Sequence, residues 1–119
     1  MAGKLTTHVL DTANGCAAAG MTIELWAIAV AGPSVLLKTT QTNADGRTDA
    51  ALLNDQDIKT GWYELIFYVG DYFAQFSEPP TEVSFLGKVP IRFGISDPTS
   101  HYHVPLLVSP WSYTTYRGS

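Results

Sequence analysis

The sequence predicts an all-β sandwich, and three observations carry that prediction. Seven or eight short segments of the 119-residue chain have the composition or the period of strands. Turn residues separate these segments at near-regular spacing, and only one short stretch favours a helix. Short strands joined by frequent turns are typical of two sheets packed face to face. The length suits one domain, which is expected over residues 1–119.

The strand segments share a high content of β-branched and aromatic residues. The clearest is Lys88–Ile95, where odd positions are apolar and even positions are polar or small, the two-residue period of a half-buried strand. Pro90 within this segment indicates the edge of a sheet. The other segments are Leu5–Leu10, Thr22–Ala29, Val35–Thr42, Trp62–Val69, Tyr102–Val108 and Tyr113–Arg117.

Turns and one short helix connect the strands. The turn signals are Ala31–Ser34, Asn43–Gly46 and Ser109–Ser112. The helical stretch is Asp71–Ser77, with Asp71 as its expected cap and Pro79–Pro80 as its expected stop.

Composition restricts the partners of the protein. The 7 basic and 11 acidic residues give a net charge of -4 and a pI of about 5.1, so nucleic acid is not an expected partner. The apolar runs are far shorter than the ~20 residues that cross a bilayer, so no membrane partner is expected. The first residues lack an apolar signal-peptide core, and a cytoplasmic location is expected. Charged residues make up 15% of the chain, below the ~25% usual for soluble proteins, which favours self-association.

Three histidines are the candidates for chemistry: His8, His101 and His103. Residues two apart on a strand share a face, so His101 and His103 lie opposite Tyr102 and the apolar residues that alternate with it. If the Tyr102 face packs the core, both histidines point to solvent, a cleft or another subunit. His8 alternates in the same way on its own segment.

The pattern leaves three interpretations of these histidines open. They are solvated surface residues, or a His-x-His pair that binds zinc with a third histidine, or general acid–base groups. Arg47 follows a turn, where arginine is usually solvated, but its guanidinium would suit substrate carbonyls if it faced a pocket. The chain has no phosphate-binding glycine loop and no dinucleotide fingerprint, so no cofactor is expected.

Four motifs in order resemble the 5-hydroxyisourate hydrolase branch of the transthyretin family. Together they span essentially the whole chain, and four motifs in order are more specific than any one of them. They are Leu5–Asp11 (LTTHVLD), Asp45–Arg47 (DGR), His101–Pro110 (HYHVPLLVSP) and Tyr113–Ser119 (YTTYRGS).

The resemblance implies a transthyretin-like (prealbumin-like) β-sandwich of two four-stranded sheets with one short helix. It implies a homotetramer, a dimer of dimers, with active sites at the dimer–dimer interface. The implied reaction is metal-independent hydrolysis of 5-hydroxyisourate, a small purine-derived molecule, in urate degradation. The product is 2-oxo-4-hydroxy-4-carboxy-5-ureidoimidazoline, formed when water opens the six-membered ring.

The resemblance also implies roles for individual residues. His8, His103 and Arg47 would be catalytic, the histidines by activating water and moving protons and Arg47 by holding substrate oxygens. His8 and Arg47 would also bind substrate, together with the chain end: Tyr116, Arg117, Gly118 and Ser119. His101 would be a second-rank, supporting residue.

The resemblance leaves two rivals to this function. Transthyretin itself carries small aromatic ligands without hydrolysing them, but its branch lacks the matching pair of histidines and the Tyr-Arg-Gly-Ser ending. A zinc hydrolase using His8, His101 and His103 is the other rival.

Overall fold

The computed structural model of the chain describes residues 3–77 and 83–118. These residues form eight strands and one short helix. The elements in order are β1 (Lys4–Asp11), β2 (Cys16–Ala17), β3 (Thr22–Ile28), β4 (Val35–Gln41), β5 (Gly61–Tyr68), α1 (Val69–Ala74), β6 (Lys88–Ile95), β7 (His101–Val108) and β8 (Tyr113–Thr115).

The strands form two four-stranded sheets, which confirms the predicted sandwich. One sheet has the order β2-β1-β7-β8 and the other the order β4-β3-β5-β6. All the strand pairs are antiparallel except β1 and β7, which run parallel with Thr6 opposite His103. Strand β6 lies at the edge of its sheet, as Pro90 predicted.

The core lies between the sheets and is built from alternate residues of their strands. Its fully buried side chains include Val9, Leu65, Phe67 and Leu106. Strand β7 follows the predicted alternation, because Tyr102 and the residues two, four and six places after it are buried. On its other face His101, His103 and Leu107 are half-buried, while Pro105 is buried.

A buried carboxylate links the core to the helix. Asp11 at the end of β1 is 1% exposed and accepts hydrogen bonds from the Tyr72 hydroxyl at 2.7 Å and the Asn14 side-chain amide at 2.7 Å. Burial raises the pKa of Asp11, but these bonds and two backbone N–H donors outweigh it and hold the pKa below its ordinary value. The buried group is therefore a hydrogen-bonded anion at neutral pH.

The helix begins earlier than the sequence predicted. It starts at Val69, directly after β5, and no side chain caps it, so the expectation that Asp71 is the cap was wrong. The N–H of Gly70 donates to the carbonyl of Gly87 at 2.9 Å, so a loop supplies an acceptor for the first turn. The helix ends at Ala74, and Pro79–Pro80 lie outside the described residues. No helix in residues 3–77 and 83–118 has the length and apolar character to span a membrane.

Candidate active site

The parallel pairing of β1 and β7 brings the three histidines onto one surface. Lys4 lies opposite His101, Thr6 opposite His103, and His8 opposite Pro105. Thr6, His8, His101 and His103 are all half-buried and point away from the core, and together they define the histidine face. The structure thus confirms the predicted outward orientation of these side chains.

The centre of the histidine face is the hydroxyl of Thr6. Its Oγ1 lies 2.8 Å from Nε2 of His101 and 2.8 Å from Nδ1 of His103. A hydroxyl carries one proton, so it donates to one of the two rings and accepts from the other. The tautomer of His101 therefore depends on the tautomer of His103, because both rings share the one Thr6 hydroxyl.

His8 has a fixed tautomer because a backbone carbonyl holds it. Its Nε2 lies 2.8 Å from the carbonyl oxygen of Asp45, which can only accept, so Nε2 carries the proton and donates it. Neutral His8 then has its lone pair on Nδ1. The Asp45 carbonyl is held by Gly46, which adopts φ 77° and whose carbonyl accepts the Val9 N–H at 2.8 Å. A Cβ at Gly46 would overlap the Val9 carbonyl oxygen, so the turn requires glycine.

Arg47 follows this turn and lines the cleft beside β1. The cleft has a volume of about 390 Å³, and Thr6, His101 and His103 form its wall. Burial, then the positive charge of Arg47, and then repulsion from His101 and His8 when those rings are protonated, lower the pKa of His103. Burial and the nearby Lys4 lower the pKa of His101. Both rings are therefore neutral at pH 7, and the direction of the Thr6 hydroxyl decides which of them keeps a free lone pair.

The chain end crosses His103 on its other side. The N–H of Gly118 donates to the carbonyl of His103 at 2.7 Å, and the two residues form an isolated antiparallel bridge. A Cβ at Gly118 would lie 2.7 Å from Cδ2 of His103, so the close approach requires glycine. Tyr116 and Gly118 line a second cleft of about 580 Å³ with His101 and His103. Residues Tyr116–Gly118 are called the tail below.

Arg117 packs against the core in addition to lining this second cleft. Its guanidinium carbon lies 4.1 Å from the centre of the Tyr102 ring, within the range of a cation–π interaction. Tyr102 is held in turn, because its hydroxyl oxygen accepts the N–H groups of Ser96 and Asp97, each at 3.1 Å. Arg117 thus anchors the tail to the open end of the sandwich. Ser119, predicted to bind substrate, lies outside the described residues.

The three histidines that the zinc alternative would use do not form a metal site in the described residues. Within the part of the chain that the structure describes, no group of three or more His, Cys, Asp or Glu side chains is arranged to hold a metal ion. The nitrogens of His101 and His103 that face each other are both hydrogen-bonded to the Thr6 hydroxyl, and His8 uses Nε2 on a carbonyl. The geometry favours hydrogen-bonded bases over metal ligands.

Comparison with known proteins agrees with this geometry. The sequence profile described as the HIUase/Transthyretin family matches residues 5–118. The chain belongs to this family. The match includes the histidine face, Arg47 and the tail as far as Gly118.

Relatives within the HIUase/transthyretin family differ in their similarity to the chain. It is 52% identical to a 5-hydroxyisourate hydrolase of Halalkalibacterium halodurans, over 100% of both chains. A crystal structure of (S)-allantoin synthase matches with a TM-score of 0.91 and 46% identity, over 99% of this chain but only 44% of that longer chain. Sea bream transthyretin in complex with thyroxine matches with a TM-score of 0.84 and 26% identity, over 97% of this chain and 94% of that one.

Two residues of this family member were not predicted as part of the site. Thr6 joins two histidines, and Tyr102 supports Arg117. The two-residue period of β1 already places Thr6 on the same face as His8. What the period does not give is the neighbouring strand, which comes from a part of the chain 97 residues away from Thr6.

Proposed function

We propose that the protein hydrolyses 5-hydroxyisourate to 2-oxo-4-hydroxy-4-carboxy-5-ureidoimidazoline in urate degradation. The observation that carries the proposal is the match over the full length of both chains to the hydrolase of Halalkalibacterium halodurans. The hydrolase activity predicted from the four motifs is confirmed by relatives of that name at about 50% identity. The carrier alternative is not favoured, since the identity to the thyroxine-bound transthyretin is half as high.

In the proposed reaction, His103 acts as the general base. Its lowered pKa keeps the ring neutral at pH 7, and the clefts on either side of it are open to a small molecule. His103 takes a proton from water as the water oxygen attacks a ring carbonyl carbon, and the carbonyl π electrons move onto oxygen. The intermediate then collapses, the ring C–N bond breaks, and the departing nitrogen takes the proton back from His103.

Arg47 and His8 orient the reactants in this proposal. The Arg47 guanidinium donates to the substrate oxygens and stabilises the oxyanion, which often contributes the most to such a step. His8 presents an Nδ1 lone pair to water or to a substrate N–H, since its Nε2 is committed to Asp45. None of these steps requires a metal or a cofactor.

The tail and the chain end close the site in the same proposal. Tyr116 is 57% exposed beside His103 and is the proposed direct contact to substrate. Arg117 contributes by holding the tail on Tyr102, and Gly118 by its close approach to His103. Ser119 is proposed to contact substrate as well. Deleting residues 116–119 should therefore abolish most turnover while shifting the melting temperature little.

The proposed assembly is a homotetramer with the sites at the dimer–dimer interface. The half-buried Leu107 lies on the same side of β7 as the two histidines and adds an apolar side chain to the surface that a second sheet could cover. Light scattering at micromolar concentration should report four chains, and a monomer would refute the assembly. A cytoplasmic location is part of the same proposal.

The experiment that tests the function measures the decay of freshly made 5-hydroxyisourate by ultraviolet absorbance. The substrate is generated with urate oxidase, and the decay is compared with and without the protein. Acceleration that persists in the presence of a chelator is the expected result. Acceleration that the chelator abolishes would favour the zinc hydrolase. No acceleration, combined with saturable binding of thyroxine, would instead favour a carrier.

A further inference from the structure

The linked rings of His101 and His103 allow two arrangements of protons around Thr6. In the first, His103 donates from Nδ1 to Thr6, and Thr6 donates to Nε2 of His101. In the second, every donor and acceptor is reversed. The two arrangements differ at the atom that matters for catalysis, since only the first leaves the lone pair of His103 on Nε2.

The position of the His103 ring shows what Nε2 faces. Nδ1 points to Thr6 on β1, so the opposite edge of the ring, formed by Cδ2 and Nε2, is turned away from β1. Gly118 lies against Cδ2 on that edge, which is the side of the cleft that contains Tyr116. A base that acts in this cleft must therefore carry its lone pair on Nε2.

We propose that Thr6 is a positioning residue whose hydroxyl accepts the Nδ1–H of His103 and donates its own proton to Nε2 of His101. The inference rests on the proposed role of His103 as the base. His101 supplies the acceptor in this arrangement: its Nε2 lies 2.8 Å from Thr6 Oγ1, and burial and the neighbouring Lys4 lower the pKa of the ring, which favours the neutral form that can accept. His101 thus acts on the reaction through Thr6.

The same arrangement gives the proton on His103 a place to go. When Nε2 takes a proton from water, the Nδ1 proton can pass to Thr6 Oγ1 while the Thr6 proton passes to Nε2 of His101. Nδ1 of His103 then loses its N–H bond, Nε2 of His101 gains one, and the Thr6 oxygen keeps a single O–H bond. The positive charge moves to His101, and the transfer reverses when the departing nitrogen is protonated.

Nitrogen-15 NMR of the imidazole rings tests the proton arrangement without any substrate. The chain has only 3 histidines, so single substitutions assign every signal. His103 should show a protonated, pyrrole-type Nδ1 and an unprotonated, pyridine-type Nε2. His8 is an internal reference, because it should show the opposite tautomer. A His103 ring protonated on Nε2 at neutral pH would overturn the proposal.

Substitutions of Thr6 test the consequence for catalysis. Thr6→Val removes the hydroxyl and keeps the shape, and should lower kcat roughly 10- to 100-fold with KM within about twofold. Thr6→Ser should recover most of that loss. Thr12→Val is the matched control, since the Thr12 hydroxyl also bonds β7, at the Val108 carbonyl, but far from the histidines. It should keep the wild-type rate.

His101→Phe completes the test. It removes the acceptor, so the Thr6 hydroxyl is free to donate to Nδ1 of His103, and the lone pair leaves Nε2. The double variant with Thr6→Val should lose no more kcat than the more damaged single variant, because both substitutions break the same chain of two hydrogen bonds. Additive losses, or a wild-type rate for Thr6→Val, would overturn the proposal. If the wild-type protein failed to hydrolyse 5-hydroxyisourate, the NMR result would still stand separately.

Discussion

Replacing Gly118 with alanine should impair catalysis far more than folding. The backbone of Gly118 is outside the left-handed region, so alanine suits its conformation. The added Cβ would however lie 2.7 Å from Cδ2 of His103 and 3.3 Å from both Cβ and Cγ. Unstrained contacts between carbons lie at roughly 3.5–4.0 Å, so the tail and the imidazole ring must move apart.

The size of the effect follows from the cost of this overlap. Overpacking by one methyl group costs about 1–3 kcal/mol. Here the tail or the His103 ring is expected to move, and the buried core is not. Because about 1.4 kcal/mol corresponds to a factor of ten, kcat/KM should fall roughly 10- to 100-fold. Global stability should fall less, because the bond from Gly118 to His103 contributes only about 0.5–1.5 kcal/mol.

Gly87→Ala is the control for this prediction. Gly87 is exposed and has no positive φ, and a Cβ added there would meet no atom within 4 Å beyond its chain neighbours. The variant should keep the wild-type rate of 5-hydroxyisourate decay and nearly the wild-type melting temperature. A Gly118→Ala variant as active as Gly87→Ala would refute the argument that the tail must contact His103.

Two further predictions concern charge. Tyr72→Phe removes a donor to the buried Asp11 carboxylate and should lower the free energy of unfolding by about 1.5–3 kcal/mol at pH 7. Since the folded pKa of Asp11 is lowered, this stabilisation is present at neutral pH and is lost as the pH falls through that pKa. The difference between the urea midpoints of the wild type and the variant should therefore narrow in acid. Equal midpoints of the two proteins at pH 7 would contradict the prediction. Arg47→Gln removes a positive charge that adds to burial in lowering the His103 pKa. The acid limb of kcat/KM should lie below the ordinary histidine value of about 6.5 in the wild type and move to higher pH in the variant, whereas an unmoved limb would count against this electrostatic effect.

The sequence predicted the orientation of the histidines because that property is local. On β7 the alternation of apolar and polar residues decides which face packs the core, and Tyr102 is buried as expected. The strands longer than three residues were all predicted, since each contains enough alternation or β-branched content to be distinguished. Strand β2 was missed, because Cys16–Ala17 is too short to have a period.

Properties that depend on distant partners were not predicted. The bridge from Thr6 to two histidines requires β1 to pair with β7, and no local pattern specifies that pairing. The helix cap failed for a similar reason, since Gly70 obtains its acceptor from the loop carbonyl of Gly87. The motifs that resemble the family compensated for this at the site, because they identified His8 and His103 together.

The central claim is that the histidine face catalyses the hydrolysis, and the rate of the His103→Ala variant tests it most directly. Decay of 5-hydroxyisourate should be followed for the variant and the wild type at equal concentration, with circular dichroism and light scattering to establish that fold and assembly are unchanged. The variant should be folded and should leave the decay at its uncatalysed rate. A folded variant with near-wild-type turnover would contradict it.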